Sequence, residues 1–266
     1  MEPSPGPWIS ALRHSHDRLQ AGVEPLGPAQ LERRSYASEW SIAQVLSHLG
    51  SQGEIFSLSL EAGLTGQEPP GREEFVPIWD RWNAKDPQAQ AADALRADQA
   101  ALQRLESLDA DALARLRLKM FGMELGATGL ARLRLGEHAI HTWDILVALD
   151  PSATVAQDAV TLLVDALDQL AAWTGKPDGR QRKVRVSTTG PDRQFTLETS
   201  EAVTLTASDC EDPAEPHHSE QGLSELRLPA EAFVRLVYGR MDEAHTPSAE
   251  VAGVELDELR QIFPGF

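Results

Sequence analysis

Cysteine occurs once in the 266 residues, at Cys210, which excludes an intrachain disulfide, a cysteine-based zinc knuckle and a CxxC redox pair. Thiol chemistry, if there is any, draws on a thiol from outside or on Cys210 alone. Long apolar runs are missing too. No stretch approaches the roughly 18 residues that a membrane helix needs, and Met1–Ser10 has neither a basic region nor an apolar run. These absences predict a cytoplasmic protein with no membrane partner. Positive charge is scarce: 4 lysines and 20 arginines face 41 acidic residues, for a net charge of −17, of which −7 lies up to Asp150 and −10 beyond it. A surface acidic from end to end repels nucleic acid, so the expected partner is a small molecule, and an anionic one needs a local arginine pocket. What is present is ordinary for a folded chain, 41% hydrophobic and 24% charged, and the length suits two domains.

The first part, residues 1–150, reads as mostly helix. An amphipathic stretch runs from about Trp8 to Leu19 and ends near Gly22 and Pro25. Ser41 opens a second helix with Gln44 three residues on, a capping box, and an apolar stripe of Ile42, Val45, Leu46, Leu49, Phe56 and Leu60 follows. Glycines and prolines from Gly63 to Gly71 mark a loop. Phe75 to Leu105 is helical in spacing with a break at Asp86 and Pro87, Leu113 to Phe121 is open between an extended segment and a turn of helix, and a last helix spans Thr128 to Leu149. Four helices with one long connection predict a bundle. Beyond Pro151 the character changes. A helix over Ala156–Trp173 precedes β-rich runs at Lys183–Thr189, Gln194–Thr199, Val203–Ala207 and Leu223–Leu228, with Asp209–Gln221 a polar loop between the last two and helices at Pro229–Tyr238 and Leu256–Ile262. The spacing predicts an α+β chain: a helical bundle over 1–150, then a smaller α+β domain with an antiparallel or mixed sheet over 151–266. The basic cluster Arg180, Arg182, Lys183 and Arg185 reads as charge protecting an edge strand, and His217 and His218 as loop residues.

The informative segment runs from Leu130 to Asp144. At helical spacing Leu130, Leu133, Glu137, Ile140, His141 and Asp144 share one stripe, which in a bundle should be apolar. Ionisable groups there cost free energy unless paired or bound to a metal. Glu137 and His141, four apart, lie one above the other, a spacing that lets one helix supply two metal ligands. A third ligand must come from another helix, and His48, mid-helix at the edge of an apolar stripe, is the candidate. The alternatives are a satisfied, partly buried histidine and a solvated Glu–His pair. His138 points about 100° away from Glu137 and reads as a surface residue.

Trp40-Ser-Ile-Ala-Gln-Val-Leu-Ser-His48-Leu49, followed some ninety residues later by Glu137-His-Ala-Ile-His141-Thr-Trp-Asp144, resembles the mycothiol-dependent maleylpyruvate isomerase family. The resemblance extends in outline to the closing Gly239-Arg240 and Phe263-Pro264 segments. It implies a DinB-like metal-binding four-helix bundle joined to a sterol-carrier-like α+β domain, with His48, Glu137 and His141 holding a zinc ion.

Two imidazoles and a carboxylate leave one zinc position open, the catalytic arrangement, and a thiol bound there ionises at neutral pH. Mycothiol is the thiol that the resemblance implies. Cys210, beside Asp209, Glu211 and Asp212, is a poor nucleophile because neighbouring carboxylates raise a thiol pKa. Asp144 is placed to orient an imidazole, or else to cap or salt-bridge near the helix end. By analogy with a family arginine from the C-terminal domain, Arg240 is the candidate to clamp a substrate carboxylate, the alternative being an exposed arginine at a helix end. In isomerisation the thiolate adds to a cis alkene, the resulting single bond rotates, and elimination gives the trans product. Mycothiol transfer to another electrophile, metal-assisted hydrolysis and non-catalytic binding of a small molecule are the alternative functions.

Overall fold

Ser41 caps its helix as its sequence predicts: Ser41 Oγ accepts from the Gln44 backbone N–H, and Gln44 Oε1 accepts from the Ser41 backbone N–H. A computed structural model of the chain describes residues 4–120, 122–208 and 224–265. Cys210 with its acidic neighbours, Phe121, His217, His218 and the loop expected over residues 209–221 lie outside the described residues. In chain order the elements are α1 (Gly6–Val23), α2 (Pro28–Leu31), α3 (Ile42–Thr65), α4 (Arg72–Asn83), α5 (Pro87–Glu106), α6 (Ala110–Arg115), β1 (Leu118–Met120), β2 (Met123–Leu125), α7 (Ala127–Leu149), α8 (Gln157–Leu163), α9 (Leu167–Thr174), β3 (Arg182–Thr189), β4 (Arg193–Thr199), β5 (Val203–Ser208), β6 (Ser224–Pro229), α10 (Ala230–Val237), β7 (Glu250–Ala252) and α11 (Leu256–Ile262). The chain is α+β.

The four long helices α1, α3, α5 and α7 form the bundle, with α1 and α3 each packed against both α5 and α7. Its core is built from the α3 stripe, including Ile42, Val45, Leu46 and Leu49, against Leu19, Trp82, Ala94 and Ile145. Small residues set the α3–α5 spacing. A Cβ at Gly50 would stand 2.3 Å from the Trp82 ring and 3.0 Å from Ala94 Cα, so only glycine lets the two helices approach this closely. Of the stretch left open in the sequence, residues 113–120 divide between α6 and β1, which pairs with β2 in an antiparallel register.

The chain separates into two compact units, residues 1–159 and 160–266. The division falls nine residues beyond Asp150 because the stretch after α7 is tied to the bundle. Trp143 Nε1 donates to Ala153 O at 2.9 Å, Arg18 Nη2 donates to Thr154 O at 2.6 Å, and His14 Nδ1 lies 2.7 Å from Asp158 Oδ2.

In the second unit the expected single helix after Ala156 is interrupted by a 3₁₀ turn at Val164–Ala166 between α8 and α9. The sheet is mixed, in the order β5-β4-β3-β6-β7, with β3 and β6 parallel and the other pairs antiparallel. Alternate residues of one face, Val184, Val186, Phe195, Leu197, Leu205, Leu226 and Leu228, are buried, and the Phe195 ring lies 5.4 Å from that of Phe233 on α10. One expectation is overturned. The cluster Arg180, Arg182, Lys183 and Arg185 does not guard an edge, because β3 is the central strand. Arg182 instead forks onto Asp178 at 2.7 and 2.8 Å, and Arg180 reaches Glu258 at 2.8 Å.

Candidate functional site

His48 sits two turns into α3, and Glu137 and His141 sit on one face of α7. Where the two helices meet, His48 Nε2 lies 3.1 Å from Glu137 Oε2, and His141 Nε2 lies 3.7 Å from the same oxygen. One ligand atom from each of the three residues falls within 4.8 Å of the others. The imidazole rings meet edge to face with centroids 4.7 Å apart.

The protonation states suit metal ligands. Burial pushes the His48 imidazole below its ordinary value, against the pull of Glu137, so it is neutral near pH 7. For Glu137 burial favours the protonated acid. The His48 hydrogen bond and the nearby His141, His48 and Arg134 charges outweigh it and push the carboxyl down to about 2. Asp144, fully buried, orients the second imidazole: its Oδ2 lies 2.9 Å from His141 Nδ1, which turns His141 Nε2 toward Glu137. The His48, Glu137 and His141 side chains are 22%, 42% and 11% exposed, so the set is open to solvent on one side. An imidazole nitrogen from each of two helices and an ionised carboxylate oxygen, converging with an open side, fit a divalent metal ion with a free position.

The ring of Trp40 covers part of this set, 5.2 Å from the His48 ring and 6.3 Å from the His141 ring, the latter stacked at 30°. Trp40 O accepts from Ser35 N at 3.0 Å and from Ser35 Oγ at 2.9 Å, which fixes the turn before α3. The sequence placed Trp40 in the motif without giving it this position.

His138 is not at the surface. It is fully buried and belongs to a second cluster one residue along the helix. Helix α7 is buried on nearly every side, so the face 100° from Glu137 meets α1 and α5 rather than water. Asp98 Oδ2 lies 2.6 Å from His16 Nδ1 and 2.8 Å from His138 Nε2, the latter off the line of an aligned hydrogen bond, while Asp98 Oδ1 accepts from Arg134 Nη2 at 2.6 Å. Ser15 Oγ lies 2.8 Å from His138 Nδ1. Burial opposes the Asp98 charge, but His138 and Arg134 outweigh it and hold the carboxyl well below its usual range. Burial also lowers His138, against the attraction of Asp98. The sequence signal that could have exposed this cluster is Arg134, four residues before His138 and three before Glu137 in an otherwise apolar helix.

Arg240 lies in the second unit, after α10 and the left-handed Gly239 (φ 69°), and its Nη1 donates to Tyr238 O at 3.1 Å. Cys210 lies outside the described residues.

Comparison with known proteins adds the following. A family model described as the mycothiol maleylpyruvate isomerase N-terminal domain matches residues 12–146. A crystal structure of the mycothiol-dependent maleylpyruvate isomerase aligns with a TM-score of 0.66 at 14% identity, covering 91% of each chain. The structure of a histidine-to-alanine mutant of that enzyme aligns at 0.65 and 14% identity, covering 90% of each. At that identity the likeness is one of fold: the DinB-like four-helix bundle with its smaller α+β unit. No curated protein matches the chain by sequence. Among the described residues no helix is long and apolar enough to cross a membrane.

Proposed function

Because this chain belongs to the mycothiol-dependent maleylpyruvate isomerase family, we propose that it is a zinc-dependent enzyme activating an external thiol, mycothiol, for attack on a small, electrophilic, acidic substrate, as in maleylpyruvate cis–trans isomerisation. The observation that carries the reading is the convergence of one ligand atom from each of His48, Glu137 and His141 within 4.8 Å, open to solvent on one side. Zinc in such a set stabilises the anion of a thiol at its free position, so that a thiolate exists at neutral pH.

The residues themselves do the rest. His48 and His141 present imidazole nitrogens, and Glu137 supplies the one carboxylate among the three ligands. Asp144 holds His141 at Nδ1 and so keeps Nε2 turned toward Glu137. Trp40 walls one side of both imidazoles. Arg240 is assigned a substrate carboxylate, supported by the resemblance of the Gly239-Arg240 segment; Arg240→Ala should raise KM for a diacid more than it lowers kcat.

The test is thiol-dependent turnover of maleylpyruvate by zinc-loaded protein, followed by a panel of electrophilic acids and epoxides. Turnover should require mycothiol and survive Cys210→Ser. A substrate left carrying the thiol would make the enzyme a mycothiol S-transferase at the same site. Equal turnover without thiol would replace the reading with metal-assisted hydrolysis, and thiol binding without turnover on any substrate with a non-catalytic one.

A further inference from the structure

The His16–Asp98–His138 cluster has the composition of a second metal site, with three ligand atoms within 4.8 Å. Its charges argue against that role. Asp98 and Arg134 already cancel each other, so a divalent ion would leave two uncompensated positive charges where the His16, Asp98, His138 and Arg134 side chains are only 2%, 4%, 0% and 4% exposed. Stability is a weak reason to keep such a pair, because apolar side chains of similar volume commonly do as well or better.

The contact that gives the pair a use is at Leu49. Arg134 Nη2 donates both to Asp98 Oδ1 at 2.6 Å and to Leu49 O at 3.3 Å. Leu49 directly follows His48, and Arg134 lies one turn before Glu137. A single guanidinium, held from behind by an ionised carboxylate on α5, thus joins the two ligand-bearing helices beside their ligands. We propose that the buried Asp98–Arg134 pair is a positioning device for the metal centre, fixing the axial register of α3 against α7 so that His48 reaches the ion together with Glu137 and His141. The inference rests on the reading of that triad as a metal centre. A slip of one residue along a helix is 1.5 Å, three times the roughly 0.5 Å within which a metal constellation must be held. A guanidinium suits the task because the two N–H bonds of its planar Nη2 point in fixed directions, one to each acceptor, whereas those of a lysine ammonium rotate.

The experiment measures zinc affinity by competition with a chelating dye and the d–d spectrum of the Co2+-loaded protein, with the thermal midpoint of the metal-free protein as the folding control. The double variant Asp98→Asn/Arg134→Met removes both charges together and keeps an acceptor facing the two imidazoles. Its metal-free midpoint should stay within a few degrees of wild type, while its zinc affinity falls about tenfold or more and the cobalt spectrum changes. Arg134→Lys should fall between the two. Wild type binding zinc and cobalt, with the double variant within twofold of it and spectrally identical, overturns the positioning role alone. Wild type binding neither ion overturns the triad reading and the inference with it. Should the double variant not fold, Arg134→Lys with wild-type affinity and spectrum overturns the proposal.

Discussion

Glu137 and His138 are neighbours in sequence, yet they belong to two histidine–carboxylate clusters of opposite character. The first is exposed on one side, sets two imidazoles around an ionised carboxylate, and among the described residues has no arginine or lysine at bonding distance from that carboxylate. The second is sealed among α1, α5 and α7, and its carboxylate is matched by Arg134. Ligand-type side chains at ligand-type distances therefore do not by themselves make a metal site. Access and local charge balance decide, and on both counts the first cluster is the one suited to an ion.

The strongest way to break this comparison is to truncate each cluster and count metal. His48→Ala or His141→Ala should take zinc content from about one per chain to near none and abolish thiol-dependent turnover, and Glu137→Gln should do nearly as much by removing the one carboxylate ligand. His16→Ala should leave zinc content near one. Elemental analysis of protein supplied with zinc checks both halves, and loss of metal in His16→Ala alone would reverse the assignment of the two clusters.

Stability should respond the other way round. Asp98→Ala leaves the Arg134 charge buried and unmatched, a change that typically costs about 3–5 kcal/mol, readable as a fall in the urea midpoint of the metal-free protein. His48→Ala, at a partly buried position, should cost less than about 1.5 kcal/mol in the same measurement. Equal losses would mean that the two clusters do not differ in how much of the fold they support.

The same difference explains how far the sequence could be read. The triad was legible because His48 and Glu137–His141 interrupt apolar stripes, and polar residues on a stripe that packs are informative whatever their partners. Ser41 and Gln44 were legible because a capping box is local. His138 was misjudged because a helical wheel assumes one wet face. Helix α7 has almost none: Arg134, His138, Thr142 and Asp144 are all buried. Asp98 was invisible because α5 looks solvated in sequence, with Asp93 and Arg96 nearby. Only the close α3–α5 approach at Gly50, a tertiary fact, takes that helix into the core. Strand β7 was missed since Glu250–Ala252 is short and exposed on every residue, with no alternation to betray it. Arg180–Arg185 misled because charge on a strand suits an edge, whereas here it serves ion pairs across the end of a central one.

Acid should weaken both clusters over the same ranges, since His48 and Glu137 are lowered as His138 and Asp98 are. His138 is lowered by burial, facing Ser15, Thr142, His16, Asp98 and Arg134, so its folded-state pKa lies below the unfolded value near 6.5. Its contribution is therefore fully present above pH 6.5 and is lost as pH falls below that. Asp98, also lowered, contributes fully above about 3.8 and loses its contribution only as pH falls further. The metal-free midpoint should decline in two stages, the first beginning near pH 6.5 and the second below 3.8. Asp98→Asn/Arg134→Met should keep the first and shrink the second, the remainder coming from carboxylates such as Glu137 that are also held low. A midpoint flat between pH 7 and 4 would contradict the protonation states assigned here.

The smallest expected effect belongs to Trp40, which has no counterpart at the buried cluster. Its ring is 37% exposed and lies against both imidazoles of the triad, so it limits how far they turn without touching the atoms that would bind an ion. Aromatic contacts of this kind contribute about 0.5–1.5 kcal/mol, which corresponds to roughly a two- to tenfold change in an equilibrium constant. Trp40→Ala should weaken zinc binding by that factor with little change in the metal-free midpoint, because the turn is fixed by Trp40 O on Ser35 and not by the ring. Trp40→Phe, which restores an aromatic face of smaller area, should recover most of the loss. Zinc affinity unchanged in both variants would reduce Trp40 to a cover over the open side. A large drop in the metal-free midpoint of Trp40→Ala would instead make the ring part of the bundle's packing, and the exposed cluster would then depend on the fold as closely as the buried one.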